Sequence, residues 1–402
     1  MIKRIPLSAL QVGMYITDLN NDWIPHNNEK RKGLIRREDT LERIAALGVT
    51  HVYIDTDKGL DSADGVPSEE IDRNNERILQ GIAEMEPERA PKVDMAREMA
   101  HAQEVHSEAQ GLIGQLMGDI KLGKAFDASP VNELAVQLQD SIFRNENALS
   151  CLGRIRHKDN YLLEHSINLS VLMSIFGRSR GFSEDVLHET IVGALLHDIG
   201  KILTPDEILH KPGRLTKEEF EIIKRHASDS RDILKATAGI GSLTLKTAAE
   251  HHERMDGSGY PEGLSADEIS IYGRMAAVCD VYDAITADRV YHKGLPPTQG
   301  LKKLIEWSGD HLDPELVRHF IRCLGIYPIG SLVLLESGRL GVVIETNTED
   351  QRLPVVRLMY HARLRQPITV ETLDLSKPRV QDRIEKVVDP ERYAIDVRTF
   401  LA

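Results

Sequence analysis

His165 in "YLLEHSINLS", His197 and Asp198 in "ALLHDIGK", His226 in "KRHAS", His251 and His252 in "HHERMDGSGYPEGL", and Asp280 and Asp283 in "AAVCDVYDAITADR" are the residues of this sequence best suited to hold a cation. Taken one at a time, a histidine on an apolar helix face is a satisfied core residue, and a lone aspartate is a cap or an ion-pair partner. Their sum changes that reading. All fall at helix ends or on helix faces that also carry the core residues, and burying so many ionisable groups without a compensating cation is costly. Imidazole and carboxylate donors without thiolate suit iron, manganese, nickel or cobalt, or a catalytic zinc, better than a cysteine-rich structural zinc site. Cys279, the helical neighbour of Asp280, points about a quarter-turn away and is assigned to the core.

Helices must position these groups. Consecutive helical residues diverge by about 100°, so His251 and His252 share one site most readily near a helix end, and the glycines of "DGSGYP" supply that end. From 131 to 325 the pattern is helical almost throughout. "LTKEEF" offers a capping box between Thr216 and Glu219, and "LDPELVRHFIRCLG" offers Asp313 as N-cap, Pro314 in the first turn and Gly325 as terminator. An all-α domain over 131–325 is expected. Residues 1–65 read as a small α/β module, because "MYITDL" and "THVYIDT" alternate like strands while "REDTLERIAALGV" has helical spacing. Residues 66–130 read as a charged helical linker hinged at "MEPERAPKVD". After "YPIG" the runs "SLVLLESGRLGVVIE", "PVVRLMY" and "PITVETL" predict a small β-rich module over 326–402.

The 402 residues suffice for two or three domains, and 41% hydrophobic with 28% charged residues is the composition of a soluble globular chain. No run approaches a membrane span, and the opening lacks the apolar block of a signal peptide, so a cytoplasmic location is expected. Cys151, Cys279 and Cys323 show no paired spacing, which fits a reducing compartment. A formal charge of −13 argues against a long nucleic acid as partner. A small anion would instead need local cations or metals.

At these motifs the sequence resembles a known family. His165, the His197–Asp198 doublet and Asp280 are similar to the ligand set of the HD phosphohydrolase superfamily, a helical, metal-dependent fold. The further histidines and the turn Gly259-Tyr260-Pro261 narrow the resemblance to the HD-GYP domain, the family of cyclic di-GMP phosphodiesterases, over roughly 135 to 325. The resemblance implies a multidomain chain with a central HD-type domain and two divalent transition metals, iron or manganese first and nickel or cobalt as alternatives. One metal would take His165, His197, Asp198 and Asp280; the other would take Asp198, His226, His251 and His252. Asp198 would bridge, and a water or hydroxide between the metals would attack the phosphodiester of cyclic di-GMP, giving linear pGpG, with either pGpG or GMP as the end product.

The resemblance also places Lys201, Tyr260, Arg274, Arg289, Tyr291 and Lys293 on the substrate side. Lys201 reads equally as a helix C-terminal cation, and Arg274, Arg289, Tyr291 and Lys293 equally as solvated surface. Asp283, one turn from Asp280, is a candidate for orienting a ligand or Lys201, or a helix-surface acid. Tyr161 departs from the family, many of whose members carry a glutamate there for a third metal. That departure motivates a second reading, a sensor that binds cyclic di-GMP or metal and turns over slowly. A third is an HD phosphohydrolase for another nucleotide. The N-terminal segment is similar to an uncharacterised domain often preceding HD-GYP, implying regulation or a homodimer or signalling partner.

Overall fold

A computed structural model describes residues 1–24, 32–84, 93–125, 127–155, 161–211, 213, 215–288 and 293–401. The strands are β1 (Ile2–Pro6), β2 (Tyr15–Asp18), β3 (Gly33–Leu34), β4 (His51–Asp55), β5 (Val66–Pro67), β6 (Leu332–Leu335), β7 (Arg339–Glu345), β8 (Val355–His361), β9 (Gln366–Asp374) and β10 (Ile384–Val387). The helices are α1 (Glu38–Ala45), α2 (Ser68–Ala83), α3 (Met95–Lys121), α4 (Ser129–Leu152), α5 (Tyr161–Ser179), α6 (Glu184–Leu196), α7 (Asp206–Leu209), α8 (Lys217–Lys224), α9 (His226–Lys235), α10 (Ser242–Glu250), α11 (Ile271–Thr286), α12 (Pro297–Trp307) and α13 (Pro314–Leu324).

Two units emerge, one made of Met1–Ile78 with Asp206–Ile222 and the other of Leu79–Pro205 with Ile223–Ala402. In the first, a five-stranded sheet in the order β3-β2-β4-β1-β5 is antiparallel throughout. Its alternating apolar residues Ile5, Ile16, Val52 and Ile54 join Met14 and Ile44 of α1 in one core, as the period of two in "MYITDL" requires.

The second unit is a helical bundle with a β-rich end. Helices α5, α6 and α11 are apolar around most of their circumference, and their Phe176, Ile191 and Val278 are fully enclosed, which makes these helices the interior of the unit rather than its surface. Helix α3 lies within the stretch read as a charged linker. It buries Ala102, Val105, Ala109, Ile113 and Leu116 at spacings of three and four, and buried Glu98 accepts from Ser141 Oγ at 2.8 Å and Arg144 Nε at 2.7 Å on α4. At the far end the sheet β10-β6-β7-β8-β9, again antiparallel, reaches α4 where the N–H of Thr346 donates to Asn147 Oδ1 at 3.1 Å.

The expected helix start and stop signals operate. Thr216 and Glu219 form the reciprocal pair of the capping box, at 2.7 Å and 3.2 Å. Asp313 caps α13 by accepting from Glu315 and Leu316, and Gly325 ends it at φ 75°, a value that suits glycine. Ser183 and Ser270 cap α6 and α11 in the same way. These two caps matter most, since α6 runs into His197 and α11 carries Asp280. Cys151, Cys279 and Cys323 are buried and form no disulfide among the described residues.

Candidate metal centre

Three of the histidines stand just past a helix end, where backbone carbonyls lack intrahelical partners. His197 follows α6 and donates Nδ1–H to the carbonyl of Ala194 at 2.8 Å. His251 follows α10 and donates to Ala248 O at 2.6 Å; His226 follows α8 and donates to Ile223 O at 2.6 Å. A carbonyl can only accept, so the proton sits on Nδ1 and each Nε2 turns its lone pair to the interior. One local device thus ends each helix and aims a donor.

The aimed donors converge. Ligand atoms of His165, His197 and Asp280 lie within 4.8 Å of one another, and so do those of Asp198, His226, His251 and His252. Asp198 faces both groups. Its Oδ2 is 3.2 Å from His197 Nε2 and 3.7 Å from His165 Nε2, while its Oδ1 is 3.3 Å from His226 Nε2 and 3.9 Å from His251 Nε2. Asp280 closes the first group, with Oδ1 at 3.0 Å from His165 Nε2, and turns Oδ2 to His252 Nδ1 at 3.7 Å. Lys201 Nζ lies 2.5 Å from Asp198 Oδ2.

The donor set fits a divalent transition metal. Asp198 Oδ1 and both ring nitrogens of His252 are buried with no hydrogen-bond partner among the described residues, a costly arrangement for a protein interior unless a cation satisfies them. Electrostatics agree. Burial, with Lys201 second, lowers His226 to about 4, and burial together with the neighbouring imidazoles holds His251 and His252 well below the ordinary histidine range. Burial pushes the Asp198 carboxyl up, but His197 and Lys201 outweigh it and keep the group ionised. Neutral imidazoles around an ionised carboxylate are the protonation states a metal requires. His165 differs: burial pushes it down, yet its bonds to Asp280 and Asp283 outweigh this and raise it to about 9. A proton shared with Asp280 is there the positive charge that a metal would displace.

Asp283 accepts from His165 Nδ1 at 2.7 Å, so it orients His165 and does not meet Lys201 in any described bond. Asn168, which the sequence reading did not single out, donates Nδ2 to the other oxygen of Asp283. Its only signal was a position three residues after His165, on the same helical face.

Gly259 lies where a β-carbon would collide with the carbonyl of His252 and the backbone of Glu253. The turn can therefore fold tightly over the histidine pair, and the Tyr260 ring settles 4.6 Å from that of His252 at 38°. Burial pushes the Tyr260 hydroxyl well above its ordinary pKa, leaving it neutral. Buried Glu253, also missed from sequence, accepts the backbone N–H groups of Glu262 at 2.8 Å and Leu264 at 3.0 Å and ties down the far side of the turn. Among the substrate-side candidates, Arg274 donates to Asp313 at 2.8 Å and exposed Lys293 donates to Glu391 at 2.8 Å. Lys293 lines a cavity of about 660 Å³ with Arg154, Asp288 and Arg398. Arg289, Tyr291 and the Tyr161 side chain lie outside the described residues. Among the described residues no helix is long and apolar enough to cross a membrane.

Comparison with known proteins places this centre in a lineage. The sequence model of the family described as HD domain matches residues 146–316, and that of a domain of unknown function (DUF3391) matches 2–131. A cyclic di-GMP phosphodiesterase of Pseudomonas aeruginosa is 38% identical over 385 residues, covering 96% of this chain and 91% of that protein. A cyclic di-GMP phosphodiesterase of Thermotoga maritima is 37% identical over 191 residues, 47% of this chain and 51% of its own length. A 3′3′-cGAMP-specific phosphodiesterase of Vibrio cholerae is 40% identical over 134 residues, 33% of this chain and 31% of that one. With a relative alike over nearly its whole length and an HD domain that contains every histidine of the cluster, the chain belongs to the HD-GYP family of metal-dependent HD phosphohydrolases.

Proposed function

We propose that this chain hydrolyses cyclic di-GMP to pGpG, with either pGpG or GMP as the end product, at a centre of two divalent transition metals, with iron or manganese as the native ions and nickel or cobalt as substitutes. The observation that carries the reading is Asp198, whose two oxygens face two different groups of histidines. His165, His197, Asp280 and Asp198 Oδ2 would hold one ion, and His226, His251, His252 and Asp198 Oδ1 the other. When bound, the metals supply Lewis acidity, which neutralises phosphodiester charge and makes a nucleophile available at neutral pH.

The protein's own part is positional. The carbonyl bonds of His197, His226 and His251 hold their lone pairs inward, and Asp283 does the same for His165. Lys201, buried beside Asp198, keeps a fixed positive charge where the phosphoryl oxygens gain negative charge, the arrangement that favours the transition state over the substrate. Tyr260 offers a neutral ring and hydroxyl at the wall of the site, and Arg274, Arg289, Tyr291 and Lys293 are assigned to the nucleotide. In this reading 131–325 is the catalytic domain, while 1–65, the 66–130 linker and 326–402 serve regulation through a homodimer or a signalling partner. The full-length likeness to the Pseudomonas aeruginosa relative supports this substrate over the mixed dinucleotide in the name of the Vibrio cholerae relative, which is matched over a third of the chain.

The test is metal content and turnover measured together, on protein purified anaerobically and reloaded with iron(II) or manganese(II), with pGpG and GMP separated. Two metals per chain with product uphold the reading. Two metals with tight cyclic di-GMP binding and no product would replace it with the slow sensor suggested by Tyr161.

A further inference from the structure

Helices α5 and α11 face each other through two residues each, spaced by three. His165 meets Asp280 at 3.0 Å and Asp283 at 2.7 Å, and Asn168 meets Asp283 one turn further along. Asp283 is fully buried, and its carboxylate is gripped from both sides: Oδ2 takes the imidazole N–H and Oδ1 takes the amide N–H of Asn168. Turning that carboxylate about its own axis breaks both bonds, so the amide sets the plane in which His165 is held. Behind Asn168 stands Gly153, at the end of α4. Its φ of −60° is one that any residue adopts, so the backbone does not demand glycine there. Space does: a β-carbon at 153 would overlap the amide oxygen of Asn168 and come within 2.9 Å of its Cγ.

We propose that Asn168 is a positioning residue for His165, acting through Asp283, and that Gly153 is kept small so that the Asn168 amide can reach Asp283. The inference rests on the reading of the His165 group as a metal site. Its consequence is selective, because Asn168 reaches the group of His165, His197 and Asp280 and not the group of His226, His251 and His252. Removing the outer partner of a ligating histidine costs about tenfold to a hundredfold in metal affinity. The loss should therefore fall on one of two ions.

Asn168→Ala and Gly153→Ala test this in the full chain. Each variant and the unaltered protein are titrated with cobalt(II) after chelation, with stoichiometry read by elemental analysis and ligand geometry by the visible absorption bands of cobalt, while circular dichroism reports folding. Gly153→Ala keeps the amide and displaces it, so it decides the matter if Asn168→Ala folds poorly. The expected result is a fall of about tenfold to a hundredfold in affinity for one ion with the other unchanged. Wild-type affinity for both ions in folded Asn168→Ala and Gly153→Ala would overturn the proposal, as would an equal loss of both. If the unaltered protein takes up no cobalt, the functional reading fails on its own, and crystal structures of the metal-free proteins decide: an Asp283 carboxylate and His165 ring that keep their orientation in Asn168→Ala overturn the inference, and a swung pair upholds it.

Discussion

Lys201 Nζ and Asp198 Oδ2 are 2.5 Å apart in the buried interior of the site, on the carboxylate that faces both groups of histidines. In the proposed metal centre, a lysine so close to this oxygen would compete with the metal for it and also supply charge to an anion that arrives there. The two roles make opposite demands on a variant. In Lys201→Met the competitor is gone, so metal content should hold or rise. Turnover should fall by about a hundredfold to a thousandfold, the scale of removing one preorganised electrostatic partner. Elemental analysis alongside kcat distinguishes the roles; loss of metal with loss of activity would make Lys201 a structural counter-charge only.

Asp198→Ala should behave differently. Both groups lose a shared donor, so both ions should dissociate during chelator dialysis and hydrolysis should stop. A variant that retained turnover would show that the carboxylate does not connect the two groups.

The contrast between these two residues shows what could be read before any coordinates. The residues of the two converging groups were legible because histidine and aspartate at apolar helix ends are costly unless used, and their spacing survives in the linear sequence. Helix starts at Thr216 and Asp313 were legible for the same local reason, since the cap and the capped N–H groups are neighbours in the chain. Asn168 was not, because an amide on a helix has many ordinary uses and its partner Asp283 is 115 residues away. Nor was the burial of α3, whose inward stripe rests on the small residues Ala102 and Ala109 within an otherwise charged sequence. In the C-terminal sheet β6 to β9 were visible as runs, but β10 was not, and its placement beside β6 depends on a long-range register that no local pattern encodes.

Protons and metals should compete at His165. Its folded pKa of about 9 lies above the unfolded value of about 6.5, so in metal-free protein it contributes stability that is fully present below about 6.5 and is lost as pH rises through 9. His226, lowered to about 4, contributes in the opposite sense: stability is present above about 6.5 and is lost as pH falls through 4. Thermal denaturation of chelated protein should therefore show a Tm that declines on both sides of about pH 6.5. The alkaline decline should be absent from His165→Gln. A chelated wild-type Tm that stayed level from pH 6.5 to 9 would contradict the His165–Asp280 proton.

The turn that carries Tyr260 should depend on Glu253 more than on any side chain within the turn itself. Its carboxylate accepts two backbone N–H groups, from Glu262 and Leu264, and the residue is buried. Burial pushes its pKa up, so acceptance by the ionised form is secured by those two donors. In Glu253→Ala both N–H groups lose their partner, at about 1–3 kcal/mol each, and the wall over His252 loosens. In Glu253→Gln one acceptor remains while the amide nitrogen faces a donor, so an intermediate effect is expected. Because the proposed metal ligands lie on other residues, metal content should be unchanged in both variants while KM for the cyclic dinucleotide rises, more in Glu253→Ala than in Glu253→Gln. Unchanged KM with lowered metal content would assign Glu253 to the histidine pair rather than to the turn.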